Sequence, residues 1–120
     1  MKTSQGNRSL GWDFLPPGSK QYEFEGKIYA GYKESPLSWN KGAEPKPIDW
    51  YAGKQYDDCF SAAHEVLDNF DTQFPHWKGR GYEIAGFAWW QGDKDRYNLA
   101  HAKKYEENLV HLITTLRSEF

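Results

Sequence analysis

The most informative segment of the sequence is Gly86-Phe87-Ala88-Trp89-Trp90-Gln91-Gly92-Asp93-Lys94-Asp95, in which an apolar aromatic run ends abruptly at a polar turn. Residues 82–90 contain only one charged side chain, Glu83, and their length and polarity predict a strand buried on both faces, as in a parallel sheet. The polar residues 91–98 then form a loop at the carboxyl end of this strand. Because ligands of open α/β sheets gather at such ends, this loop is the first candidate for a functional site.

Two amphipathic segments flank the predicted strand. Residues 55–74 carry apolar side chains at spacings of three and four, with acidic side chains near the opposite face and Pro75 directly after them. Residues 99–119 carry the same kind of stripe, which comprises Tyr105, Leu109, Leu112, Ile113 and Leu116. Helix, strand and helix in this order predict an α/β layer in which both helices pack on a sheet.

Residues 11–54 differ from the rest because proline, glycine and aromatic side chains are dense there. This composition blocks long helices, so we expect an irregular excursion with a short hairpin around residues 22–32. Its aromatic side chains either pack the excursion onto the body of the protein or line the rim of a binding site, and packing is the commoner role for each one. Trp50 and Tyr51 are the candidates for such a substrate rim.

Composition narrows the class of protein. A formal charge of -2 and a pI near 6.1 give no electrostatic footprint for nucleic acid or for an anionic membrane surface. The single cysteine, Cys59, excludes an internal disulfide and a zinc site built from several thiolates. Asp93 and Asp95 begin a calcium-loop spacing, but Asn98 and Lys104 occupy the positions that need glycine and glutamate, so no metal is predicted.

Two strings carry a resemblance to a known family. Trp89-Trp90-Gln91-Gly92-Asp93-Lys94-Asp95 and Lys2-Thr3-Ser4-Gln5-Gly6-Asn7-Arg8-Ser9-Leu10 resemble the W-x-Q-G-E-x-D and K-T-x-x-G-G-x-S-L blocks of sialate O-acetylesterase-type carbohydrate esterases, a branch of the SGNH hydrolases. Asp93 stands where the family more often has glutamate, and Asn7 where a second glycine is common. The resemblance spans nearly the whole chain, and these two blocks are its most specific part.

The resemblance implies a partial flavodoxin-like, three-layer α/β sandwich with a parallel sheet, at least two amphipathic helices and a long aromatic loop. It implies an acetylated carbohydrate as substrate, no cofactor, and a family that is often periplasmic or secreted, although this chain opens without the apolar core of a signal peptide. It assigns the oxyanion hole to Gly6 and Gln91. The supporting residues are Asn7, Arg8, Gly92, Asp93 and Asp95.

Acyl transfer by this route also needs a nucleophile, a base and a group that orients the base. The family takes its serine from a G-Q-S-N block and its histidine from a D-x-x-H block, and neither string occurs in these 120 residues. Ser9 does not lie in a G-x-S-x-G motif. We therefore expect the central part of an esterase domain, inactive alone. The alternatives are a non-catalytic carbohydrate-binding or interaction module and an inert gene fragment.

Overall fold

The computed structural model of the protein describes residues 6–34 and 50–120. The beginning of the first sequence block, residues 1–5, and the middle of the aromatic excursion, residues 35–49, lie outside them. The described elements are strands β1 (Tyr22–Phe24) and β2 (Lys27–Tyr29) and helices α1 (Lys54–Asp68), α2 (Phe70–Gln73) and α3 (Leu99–Glu119). Single 3-10 turns cover Pro75–Trp77 and Asp95–Tyr97. Within the described residues, no helix has the length and apolar character that crossing a membrane would require.

The short hairpin lies where the composition of the excursion predicts one. β1 and β2 pair antiparallel, with Phe24 opposite Lys27. The two connecting residues, Glu25 and Gly26, both have positive φ angles, at 50° and 75°. A two-residue loop with both φ angles positive matches the right-handed twist of the paired strands, which favours this tight connection.

α3 coincides with the range that its apolar stripe predicts, and its beginning has a local cause. The side chain of Asn98 accepts hydrogen bonds from the backbone amides of Ala100, at 3.0 Å, and His101, at 3.3 Å. These amides have no partner inside the helix, so an asparagine at this position stabilises the helix start by about 1 kcal/mol. The cap fixes where α3 begins, directly after the candidate site loop.

The helix predicted over residues 55–74 is interrupted. α1 ends at Asp68, and Asn69 leaves helical geometry with φ at -111° and ψ at 25° before the single turn of α2. The side-chain amide of Asn69 donates to the carbonyl of Glu65 at 2.9 Å. Asparagine disfavours helix interiors because its side chain competes for backbone hydrogen bonds in this way. The apolar spacing continues through the break, which explains why periodicity alone predicts one helix.

The structure does not form the buried strand that the sequence predicts at residues 82–90. The segment has no ladder partner in the described residues, and the sheet there is the antiparallel hairpin alone rather than a parallel one. Several of its large side chains are exposed, among them Tyr82, Ile84 and Phe87. A strand exists only through hydrogen bonds to a neighbour, and the described part of the chain supplies no neighbouring strand for this run. Of its large side chains, Trp89 alone packs into the core, and the others remain exposed.

The main core lies between residues 10–14, α1 and α3. Leu10, Tyr56 and Leu112 are buried at its centre. Seven partly buried side chains surround them: Phe14, Tyr32, Phe60, Trp89, Tyr105, Leu109 and Leu116. Because Leu10 belongs to the first sequence block and Trp89 to the second, this core holds the two blocks against the same face of α3.

Candidate functional site

The two sequence blocks meet at a cleft of about 450 Å³. Its described lining comes from two short segments, one on each side: Asn7 and Arg8, and then Trp89, Trp90, Gln91, Gly92, Asp93 and Lys94. The segments are joined directly, because the side-chain amide of Gln91 donates to the carbonyl of Arg8 at 2.8 Å across 83 residues of sequence. The fold therefore assembles one site from residues that are distant in the chain.

The Gln91 carboxamide is held by two acceptors. Besides the Arg8 carbonyl, its nitrogen donates to the Asp95 carboxylate at 2.6 Å. An amide nitrogen carries two hydrogens, so both are engaged in this conformation. The orientation is fixed, because the opposite flip would place the Gln91 oxygen against a carboxylate and a carbonyl. The oxygen, Oε1, is buried and has no hydrogen-bond partner among the described residues, so it is left as an acceptor without a donor.

Asp95 binds the backbone at the end of the first block. Its carboxylate is 1% exposed and accepts the backbone amides of Leu10, at 2.9 Å, and Gly11, at 2.8 Å, in addition to the Gln91 amide. Hydrogen bonds to an ionised carboxylate are about twice as strong as neutral ones. Asp95 therefore holds the site loop and the first block in one rigid arrangement.

α3 supports the same loop through Tyr105. The Tyr105 hydroxyl donates to the backbone carbonyl of Gln91 at 2.5 Å and accepts the indole N–H of Trp89 at 3.1 Å. The Trp89 ring also packs edge-on against Phe14, with ring centroids 5.1 Å apart. The Gln91 backbone carbonyl and the Trp89 side chain are thus both bound to α3.

Arg8 is positioned by Asp13 and Trp50. Its guanidinium lies 3.9 Å from the centre of the Trp50 ring and contacts the Asp13 carboxylate at 3.2 Å. The same carboxylate accepts the Trp50 indole N–H at 2.8 Å and the Ser9 backbone amide at 2.8 Å. Asp13 is buried and organises this side of the cleft, and nothing in its local sequence distinguishes it from a surface aspartate.

The two rim candidates lie behind the cleft rather than on its described lining. Trp50 reaches the cleft only through Arg8. The Tyr51 hydroxyl donates to the Asp57 carboxylate at 2.5 Å, which ties residue 51 to the first turn of α1. This hydrogen bond, together with burial, raises the pKa of Tyr51 to about 12. In this conformation both side chains pack the excursion onto the body.

The remaining predicted residues are placed as follows. Gly6 is exposed, and the described lining begins with its neighbour Asn7. Asn7 has a φ angle of 61°, in the left-handed region where glycine and, after it, asparagine are best tolerated. This backbone conformation explains why asparagine is acceptable where the family commonly has glycine. Gly92 and Asp93 line the cleft, and the exposed Asp93 carboxylate pairs with Arg96 at 2.9 Å.

Ser9 has the wrong surroundings for a nucleophile. It is 4% exposed, and its hydroxyl donates to the Asp13 carboxylate at 3.3 Å. A serine nucleophile needs a base, usually histidine, at hydrogen-bond distance and an open path to the substrate carbonyl. In the described residues Ser9 has neither.

His101 is a buried group beside the site that the sequence did not single out. Its side chain packs edge-on against Tyr29, and its Nε2 atom is buried without a hydrogen-bond partner in the described part of the chain. Burial lowers the pKa of His101 below its ordinary value of 6.5; the Asp95 and Asp13 carboxylates oppose this shift, and Lys94 adds to it. The folded protein therefore favours the neutral imidazole.

We expect the stability of the protein to fall as the pH decreases below about 6.5, because the unfolded chain then binds a proton that folded His101 resists. This contribution to stability is fully present above the pKa that His101 has in the unfolded chain. It is lost as the pH falls through the lower pKa of His101 in the folded protein. Urea unfolding midpoints at pH 7.5 and 5.5 measure the effect. His101→Gln should flatten this dependence, whereas His76→Gln, at an exposed position, should leave it unchanged. Equal slopes in the wild type and His101→Gln would contradict the assignment.

Comparison with known proteins gives one positive result. The family model described as "Carbohydrate esterase, sialic acid-specific acetylesterase" matches residues 33–120. This range is most of the chain and includes Gln91, Asp95 and α3, whereas Asn7 and Arg8 precede it. Searches of curated proteins and of solved structures find no match.

Proposed function

Because the chain belongs to the carbohydrate esterase family of sialic acid-specific acetylesterases, whose fold is of the SGNH α/β type, we propose that its cleft binds an O-acetylated sugar. In this proposal the cleft forms the oxyanion side of an acetylesterase site. The observation that carries it is the hydrogen bond from Gln91 to the Arg8 carbonyl, which brings together two blocks 83 residues apart. The acetyl group would lie between these blocks, against Gln91.

Ester hydrolysis develops negative charge on the carbonyl oxygen of the acyl group. A rigidly held amide donor at that oxygen stabilises the transition state by about 2.7 to 4 kcal/mol. For Gln91 to act in this way, one of its two present bonds, to Arg8 or to Asp95, must be exchanged for a bond to the substrate. The second donor is the backbone N–H of Gly6, which lies next to the cleft-lining Asn7 and whose missing side chain allows close approach.

The nucleophile and the base are proposed to come from outside these 120 residues. The surroundings of Ser9 support this proposal, since its buried hydroxyl is bonded to Asp13 and not to a histidine. In the proposed domain these residues form the central part. Residues 82–90 then become a strand of the parallel sheet in a three-layer sandwich, and neighbouring strands and helices cover Tyr82, Ile84 and Phe87.

A direct test compares binding and hydrolysis. Calorimetry with O-acetylated N-acetylneuraminic acid and its de-acetylated form should show tighter binding of the acetylated sugar. Gln91→Ala should remove that preference, whereas Gln73→Ala, at an exposed position on α2, serves as the matched control. Acetate release from the same sugar should stay at the protein-free rate. Equal binding of the two sugars contradicts the acyl site, and sustained hydrolysis abolished by Ser9→Ala contradicts the missing nucleophile.

A non-catalytic sugar-binding module is the second candidate. The observation that favours it is the engagement of both amide hydrogens of Gln91 by the protein. A module of this kind would use the cleft for recognition alone. It would bind acetylated and de-acetylated sugars equally and release no acetate, so the same experiment separates it from the esterase proposal.

A further inference from the structure

Three consecutive residues at the cleft alternate in exposure. Trp89 is partly buried against Phe14 and Tyr105, and Gln91 is bonded to Arg8 and Asp95. Trp90, between them, is 101% exposed, which is the exposure of a tryptophan with no neighbours at all. Trp89 and Gln91 are thus held by the protein, whereas the Trp90 indole is left in solvent.

This exposed indole belongs to the described lining of the cleft. A sugar ring presents an apolar face of C–H groups, and a flat aromatic surface complements that face. Binding sites commonly combine such an apolar surface with a few placed polar groups.

We propose that Trp90 is the sugar-stacking residue of this site, with its indole against the C–H face of a pyranose bound in the cleft. The inference rests on the proposed function, because it names the residue that recognises the sugar ring apart from its acetyl group. Trp90 is in this sense a specificity-determining residue and takes no part in acyl transfer. Its contribution is therefore the same for acetylated and de-acetylated sugars.

Trp77 provides a matched control. It is also exposed, at 55%, but it lies in the 3-10 turn after α2, where the Arg80 guanidinium is 5.2 Å from its ring centre. It is not among the described residues that line the cleft. Each substitution removes one of the six tryptophans of the chain, and both of these are exposed, so the two variants differ in location and not in chemistry.

The experiment measures the affinity of the 120-residue chain for O-acetylated N-acetylneuraminic acid by calorimetry, with circular dichroism to verify that each variant is folded. Trp90→Ala should weaken binding about tenfold, the loss expected for one aromatic stacking contact, and Trp90→Phe should restore part of it. Trp77→Ala should bind as the wild type does. Trp90→Ala should weaken the binding of the de-acetylated sugar by the same factor as that of the acetylated sugar.

The outcomes separate this inference from the proposed function. If Trp90→Ala binds as tightly as the wild type while the preference for the acetylated sugar persists, the stacking role is overturned and the proposed function stands. If the wild type does not bind either sugar, both are overturned. If Trp77→Ala weakens binding as much as Trp90→Ala does, the effect is not local to the cleft, and the stacking role is overturned as well.

Discussion

Asp95→Asn is expected to lower the free energy of unfolding by about 3 kcal/mol. Every group that the Asp95 carboxylate contacts is a donor: the amides of Leu10 and Gly11 and the side chain of Gln91. Asparagine has the same shape but only one acceptor oxygen. Its amino group must therefore face at least one of these donors. Because the Asp95 position is 1% exposed, the side chain cannot turn toward solvent to avoid that contact.

The matched control for this prediction is Asp93→Asn. Asp93 is only two positions earlier and lines the cleft, but its side chain is 79% exposed and pairs with Arg96 at the surface. An exposed ion pair of this kind contributes about 0 to 1 kcal/mol, so the control should stay close to the wild type. Urea unfolding of both variants provides the comparison. A loss below about 1 kcal/mol for Asp95→Asn would show that the three hydrogen bonds do not hold the two blocks together.

The contrast between α3 and residues 82–90 shows what local sequence determines. The α3 stripe and its Asn98 cap are local features, so residues 99–119 could be predicted to the end of the helix. The apolar run at 82–90 has equally clear local character, but a strand needs a hydrogen-bonded neighbour, and sequence within the run does not supply one. A helix satisfies its own backbone, whereas a strand depends on the rest of the fold.

The candidate site also contains some residues that the sequence predicts and others that it does not. The resemblance to family motifs predicts Gln91 and the first block as site residues, and the Gln91 Nε2 atom lies 2.8 Å from the Arg8 carbonyl oxygen. Asp13 and His101 carried no such signal, because their roles come from contacts made in three dimensions. Asp13 joins Arg8, Ser9 and Trp50, and His101 packs against Gly11, so neither role follows from the residues next to it in sequence.

Gly11→Ala should destabilise the protein by about 2 kcal/mol, because a methyl group there has no space. A Cβ atom at Gly11 would lie 2.6 Å from Cγ and 2.8 Å from Cδ2 of the buried His101 ring. The Gly11 amide also donates to Asp95, so the backbone cannot shift without loosening the arrangement that holds Gln91. The clash therefore acts on the site as well as on the core.

A double-mutant cycle tests the cause directly. In a His101→Ala background the imidazole ring is absent, and the cost of Gly11→Ala should fall below about 1 kcal/mol, since contacting residues are not additive. Gly86→Ala is the matched control, because nothing lies within 4 Å of its added Cβ. An equal cost of Gly11→Ala in both backgrounds would mean that the strain comes from the backbone of residue 11. Removal of the cost by His101→Ala would show that the added methyl group clashes with the imidazole ring on α3.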